Sequence, residues 1–174
     1  MSLPPTPSPN NALAHSIPQR LSRAWALLCG QERAFEWNAE DCVPPLSEFS
    51  YLLSLDFLGT DDKAGIAIAL SPLDAHDLAS AMFQVPLAQL KTHDVHDACM
   101  EVCNVLADTL SDLVADKDSL QCGLPQPLEA NGYQQLLSYS PLRCSLRSTS
   151  RGEVTYFLVF NPLNPSFETR PAAL

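Results

Sequence analysis

The segment from about Asp94 to Ala115 contains neither Gly nor Pro. The whole chain carries 15 Pro in 174 residues, so this stretch is conspicuously spared. It predicts one long helix with Asp94 as its cap. Any fold for this chain must be built around that helix. At about 100° per residue, Asp97, Glu101, Asn104 and Asp108 fall within an arc of roughly 60°. Val95, Ala98, Val102, Leu106, Thr109 and Leu113 lie opposite. The helix therefore has an apolar face for a core and a narrow acidic ridge. A solvated face is the plainest reading of such a ridge. However, it holds no Lys or Arg to relieve repulsion at i, i+4, which costs a few tenths of a kcal/mol per pair. That weakens the solvated-face reading without replacing it.

The remaining elements follow from the punctuation. Pro4, Pro5, Pro7 and Pro9 predict a disordered or extended tail over residues 1–14. A first helix is expected from about Ile17 to Cys29, with Ser16 as cap, Pro18 in the first turn and Gly30 past the end. Ala34–Trp37 reads as a short strand and Asn38–Ser47 as a loop. Phe49–Leu58 and Gly65–Leu70 read as a hairpin around Gly59-Thr60-Asp61-Asp62. Ser71-Pro72 opens a second helix that ends near Phe83, ahead of Pro86. Leu120–Gln135, with Gly123, Pro125, Pro127 and Gly132, reads as loop or irregular strand. Leu142–Arg147 and Val154–Phe160 read as strands joined by a turn at Ser148–Gly152, the second of them a candidate exposed edge. The fold class is α+β, a mainly antiparallel sheet packed with two to three helices. The folded domain spans 15–162, and 163–174 form a second tail.

Charge and motif narrow the function. Lys and Arg total 10 against 20 Asp and Glu, a formal net charge of −10. Binding to nucleic acid or an anionic membrane surface needs clustered cations, and both are excluded. No apolar run reaches the ~20 residues of a membrane helix. The first ten residues lack the cation cluster and apolar core of a signal peptide, so a cytoplasmic protein with reduced thiols is expected for the six Cys. His93, His96, Cys99 and Cys103 have metal-ligand residue types, but one helix cannot wrap four ligands around a tetrahedral metal. They are expected to be buried thiols and helix-start histidines, with no metal. A Cys nucleophile needs an electropositive pocket that these acidic surroundings do not offer. Neither a Gly-x-Ser-x-Gly elbow nor a phosphate-binding Gly-rich loop occurs, so no cofactor is expected.

Asp97-Ala98-Cys99-Met100-Glu101-Val102-Cys103-Asn104-Val105-Leu106-Ala107 resembles the catalytic helix of the CheC/CheX/FliY chemotaxis phosphatases. Their pattern is Glu-x-x-Asn within Asp-Ala-x-x-Glu-hydrophobic-x-Asn-hydrophobic-hydrophobic-Ala. Leu58-Gly59 with Gly65–Leu70 looks like the family's hairpin, Leu78–Phe83 like its next helix, and Gly123-Leu124-Pro125 like its Leu-Pro segment. The resemblance covers roughly residues 15–161 and is nearest to CheX, whose Glu-x-x-Asn is single as it is here. It implies a CheC-like or CheX-like fold and a phosphatase acting on the phospho-aspartate of a CheY-like response regulator. Asn104 would orient the attacking water and Glu101 would meet the regulator's lysine. Asp97 and Asp108 would line the partner's docking surface, and Mg²⁺ would sit on the regulator. The resemblance also implies a homodimer. Asp108 stands where the family often has Gly. A binding or scaffold module without hydrolysis is the alternative.

Overall fold

The computed structural model describes residues 9–38 and 44–163. Helix α1 (Pro9–Cys29) leads into strand β1 (Glu36–Trp37), then the hairpin β2 (Phe49–Phe57) and β3 (Lys63–Leu70). Helix α2 (Pro72–Phe83) and a short 3₁₀ turn precede α3 (Thr92–Ser111). Strands β4 (Leu120–Cys122) and β5 (Gln126–Pro127), helix α4 (Ala130–Tyr139) and the hairpin β6 (Leu142–Ser150) and β7 (Glu153–Phe160) complete the order. The sheet runs β1-β6-β7-β3-β2-β4, with β5 also on β2, and every pairing is antiparallel. The α+β class with a mainly antiparallel sheet is as expected, with four α-helices among the described residues.

The sheet buries both faces. Phe49, Tyr51, Leu53 and Leu55 of β2, with Ala64, Ile66, Ile68 and Leu70 of β3, point into the larger core under α1, α2 and α3. The opposite residues Leu52 and Ala67 join Leu158 and Phe160 in a smaller core under Tyr133 and Leu136 of α4. This is period-two alternation with both faces covered, so β3 has no polar face at all. Side chains as fully enclosed as Phe157, Phe160 and Leu106 contribute about 1.5–3 kcal/mol each through burial.

Local chemistry explains most boundaries. Ser71 caps α2, its Oγ accepting from the Asp74 N–H at 3.1 Å, with Pro72 at the first helical position. Gln84 closes the same helix in the left-handed region, at φ 55°. The β6–β7 hairpin turns on two residues, Arg151 and Gly152, both at positive φ, the geometry that matches strand twist. That turn is tighter than Ser148–Gly152, because Ser148 and Ser150 still pair across the ladder.

Four expectations are corrected. Helix α1 begins at Pro9, so residues 9–14 are helical and not tail, and Pro18 lies inside the helix. Pro9 needs no intrahelical donor at a first position, which lets the helix start there. Residues 1–8, 39–43 and 164–174, including most of the two expected tails, lie outside the described residues. Helix α3 starts at Thr92, with Asp94 as third residue and not cap; its carboxylate accepts from the Lys91 N–H at 2.9 Å. Helix α4 occupies ground read as loop, because Tyr133 and Leu136 close the second core and their burial outweighs Gly132. Finally, β7 is no edge: it lies between β6 and β3 with its backbone paired on both sides. The argument for a homodimer through an exposed β7 falls with it.

Candidate functional site

Helix α3 packs against α1, α2, β2 and β3. Its buried arc is Val95, Ala98, Cys99, Val102, Cys103, Leu106, Ala107, Thr109 and Leu110. This leaves Asp97, Glu101, Asn104 and Asp108 exposed together, each three or four residues from the next. The sequence-predicted ridge is thus a real surface. Glu101 and Asn104 lie one helical turn apart, with Cβ atoms about 5–6 Å from each other. Half-buried Met100 borders them on one side, and Val105, 36% exposed, on the other. No salt bridge within the chain is made by Asp97 or Glu101 among the described residues.

The ridge is tied to the core at both ends. Near its first turn, the Tyr51 hydroxyl and His96 Nδ1 are 2.6 Å apart, and His96 also lies against Phe49 at 5.2 Å between ring centroids. These contacts clamp α3 to β2 at the ridge's N-terminal end. Burial raises the Tyr51 phenol well above its ordinary value, and the neighbouring Cys99 and Cys103 add to the shift, so Tyr51 stays a neutral hydrogen-bonding group. At the other end Asp112 meets Arg20 of α1 at 2.7 Å. Sequence reading missed both anchors. Asp112 was within reach, because it continues the i, i+4 series from Asp108. Tyr51 and His96 had no such signal, because their contact spans 45 positions.

The other chemistry-bearing residues scatter. Cys99 and Cys103 are buried, and burial pushes the Cys99 thiol up to about 12. His93 is exposed beside Asp94 at 3.2 Å, while His96 turns toward Tyr51. The four metal-ligand residue types do not converge. Among the described residues no group of three or more His, Cys, Asp or Glu is placed to hold a metal ion. No helix there is long and apolar enough to cross a membrane.

Gly123-Leu124-Pro125 lies on the margin of the sheet between β4 and β5, both of which pair with β2. Gly123 donates to the Ser54 carbonyl at 2.8 Å, and a Cβ on it would come within 2.6 Å of the Ser54 hydroxyl. Only glycine lets the segment lie this close, and the segment then presents Leu124, 76% exposed.

A sheet covered by three helices on one face and one on the other, with an amide and a carboxylate presented from a central helix, defines the class: a CheX-like and CheC-like α+β fold. Solved structures share it. CheX from Vibrio vulnificus is 11% identical, with a TM-score of 0.59 over 86% of this chain and 98% of that one. CheX of Borrelia burgdorferi, solved in a CheX–CheY–BeF₃–Mg²⁺ complex, is 14% identical, with a TM-score of 0.54 over 86% and 95%. FliM from an H. pylori FliM–SpeE complex is 9% identical, with a TM-score of 0.59 over 87% and 84%. No family model and no curated protein matches the sequence.

Proposed function

We propose that this protein is a phosphatase for the phospho-aspartate of a CheY-like response regulator, docked on the exposed face of α3. The observation that carries the reading is the pair Glu101 and Asn104, exposed one turn apart on a helix clamped to the core. That pair occurs in a fold shared with a CheX whose complex with CheY, BeF₃ and Mg²⁺ is known. An acyl phosphate already has a good leaving group. What it lacks is a water held in line with the P–O bond, and positioning is a large term in phosphoryl transfer. An amide offers both a donor and an acceptor without titrating, so Asn104 suits that task. Glu101, a turn away, reaches a lysine on the partner and sets the docking register. Asp97 and Asp108 extend the contact along the ridge. The Mg²⁺ belongs to the regulator, and the reading entails a cytoplasmic protein.

The test is decay of a phosphorylated CheY-like regulator from the same organism. Wild type should accelerate decay. Asn104→Ala should lower the rate about 100-fold, the scale of losing a positioned group, with binding retained. Glu101→Ala should chiefly weaken binding. A wild-type protein that leaves decay at its intrinsic rate sinks the phosphatase assignment, and an Asn104→Ala variant with full activity sinks the role given to Asn104. A binding module without hydrolysis is the second reading, supported by the same fold in FliM, which forms a complex with SpeE. It would show as a loaded regulator that associates yet decays at its own rate.

A further inference from the structure

Resting on that docking reading, we propose that Leu124 is an apolar anchor for the same response regulator, set at the sheet margin beside α3. Strand pairing fixes its place. Leu55 pairs with Cys122 and Leu52 with Gln126, so Gly123, Leu124 and Pro125 oppose only Leu53 and Ser54. One residue is extra. Gly123 stays against Ser54, donating to its carbonyl at 2.8 Å, and Pro125 is buried. Leu124 is the residue pushed out, 76% exposed. A single exposed leucine is ordinary. One ejected by a bulge is aimed, because a bulge at a sheet edge redirects a side chain. The bulge also lies level with the ridge. Phe49 and Tyr51 of β2 lie against His96, and Tyr51 also meets the Cys99 thiol, so β2 and α3 run the same way. From Tyr51 to Ser54 the strand advances about 10 Å. That equals about seven residues of α3 and brings Ser54 level with Asn104. Asp112 turns to Arg20 of α1, so the other flank of the ridge, with His96 and Met100, faces the margin of β4 and β5. Leu124 and Asn104 therefore lie roughly 15 Å apart. A specific interface covers about 800 Å² on each partner, a patch about 30 Å across. A regulator seated on Glu101 and Asn104 covers Leu124 as well, and meets it with an apolar patch of its own. Leu124 holds the partner and touches no reacting atom.

The measurement is affinity for a regulator loaded with beryllofluoride and Mg²⁺, by titration calorimetry at 50 mM and 500 mM NaCl. Leu124→Ala should weaken binding about tenfold, the scale of withdrawing one buried leucine side chain. The loss should be the same at both salt concentrations, because apolar contact is not screened, whereas the loss in Glu101→Gln should shrink at high salt. The rate of decay at saturating protein should stay within about twofold of wild type, since Leu124 is remote from the reacting phosphorus. Leu27→Ala is the control: Leu27 is 87% exposed, on α1, and its loss should leave affinity unchanged. An affinity moved less than about twofold by Leu124→Ala, or moved equally by Leu27→Ala, overturns the anchor while leaving the docking reading in place. So does a Leu124→Ala variant that changes only the association of this chain with itself in sedimentation velocity, which would give the residue to a second copy. A wild-type chain that binds no regulator overturns the docking reading itself, and the anchor with it.

Discussion

Two groups of carboxylates in this protein are handled in opposite ways. Asp74, at the start of α2, is buried, its side chain only 4% exposed. One oxygen pairs with Arg33 and the other accepts from Thr155. Arg33 in turn reaches Ser148 at 2.7 Å and lies over the Trp25 ring at 5.2 Å. The cluster joins α1, α2, β6 and β7. Asp97 and Glu101 of α3 are exposed, and neither makes a salt bridge among the described residues. The same chemical group is thus spent internally at one place and presented at another. A buried charge must be satisfied where it sits, so Asp74 reports on assembly of the fold. Exposed Asp97 and Glu101 carry no such demand, which is why their part of the ridge is where a partner is to be sought.

The comparison can be tested hardest at Arg33. Removing it leaves Asp74 buried without its cation, and breaking a buried pair from one side typically costs about 3–5 kcal/mol. Arg33→Met is expected to lower stability by that amount in urea titration. Arg33→Met with Asp74→Leu should recover much of the loss, since an apolar pair of similar volume removes the orphaned charge. If Arg33→Met costs less than about 1 kcal/mol, the cluster is not the fold's internal lock and the contrast with α3 collapses.

The two groups were also unequally legible in the sequence. The ridge follows from the 3.6-residue period of one uninterrupted helix, so Asp97, Glu101, Asn104 and Asp108 could be placed on one face before any coordinates. The Ser71-Pro72 start of α2 was equally readable, being a matter of adjacent residues. Arg33 and Asp74 stand 41 positions apart, and no local pattern joins them. Helix α4 was hidden for a related reason. Its ten residues include Gly132 and follow Pro125 and Pro127, and it exists because Tyr133 and Leu136 have a second core to close. The place of β7 depends on strand order, which periodicity does not encode. Local signals are visible in the chain, and what long-range burial decides is not.

A second test asks whether the inner flank of α3 is as firmly committed to the fold as Asp74 is. Burial pushes the Cys99 thiol up to about 12 and raises Cys103 well above its ordinary value. The sign follows directly. In the unfolded chain these thiols ionise near their usual value, while in the folded protein they hold their protons. The unfolded state therefore binds fewer protons as pH rises, and stability falls. Their contribution is complete below about pH 9, where the thiols are ordinarily neutral, and is lost progressively toward about pH 12. Thermal unfolding should show a falling Tm above pH 9, and Cys99→Ala should flatten that fall. Up to pH 8, alkylation of Cys99 by iodoacetamide should be slow in the folded protein and rapid in urea. Fast alkylation in the folded state would show that the core side of α3 opens readily, and the clamp drawn from Tyr51 and His96 would not hold.

The smallest effect bears most directly on the ridge. Asp97 and Glu101 are a like-charge pair at i, i+4, both exposed, and such pairs destabilise a helix by about 0.2–0.5 kcal/mol. Asp97→Asn should therefore stabilise the protein by a few tenths of a kcal/mol at low salt, with the gain fading by 0.5 M NaCl as the repulsion is screened. The sign is what matters. At Arg33 the removal of a charge is costly, because that charge answers another inside the core. At Asp97 the removal should help, because nothing in the fold needs it. A clear loss of stability in Asp97→Asn would mean that the carboxylate serves the monomer, and the ridge would then belong with Asp74 as structure. A small gain in stability with weakened binding of a regulator would separate the two groups. The chain would then be carrying a charge at a cost to its own helix in order to meet a partner.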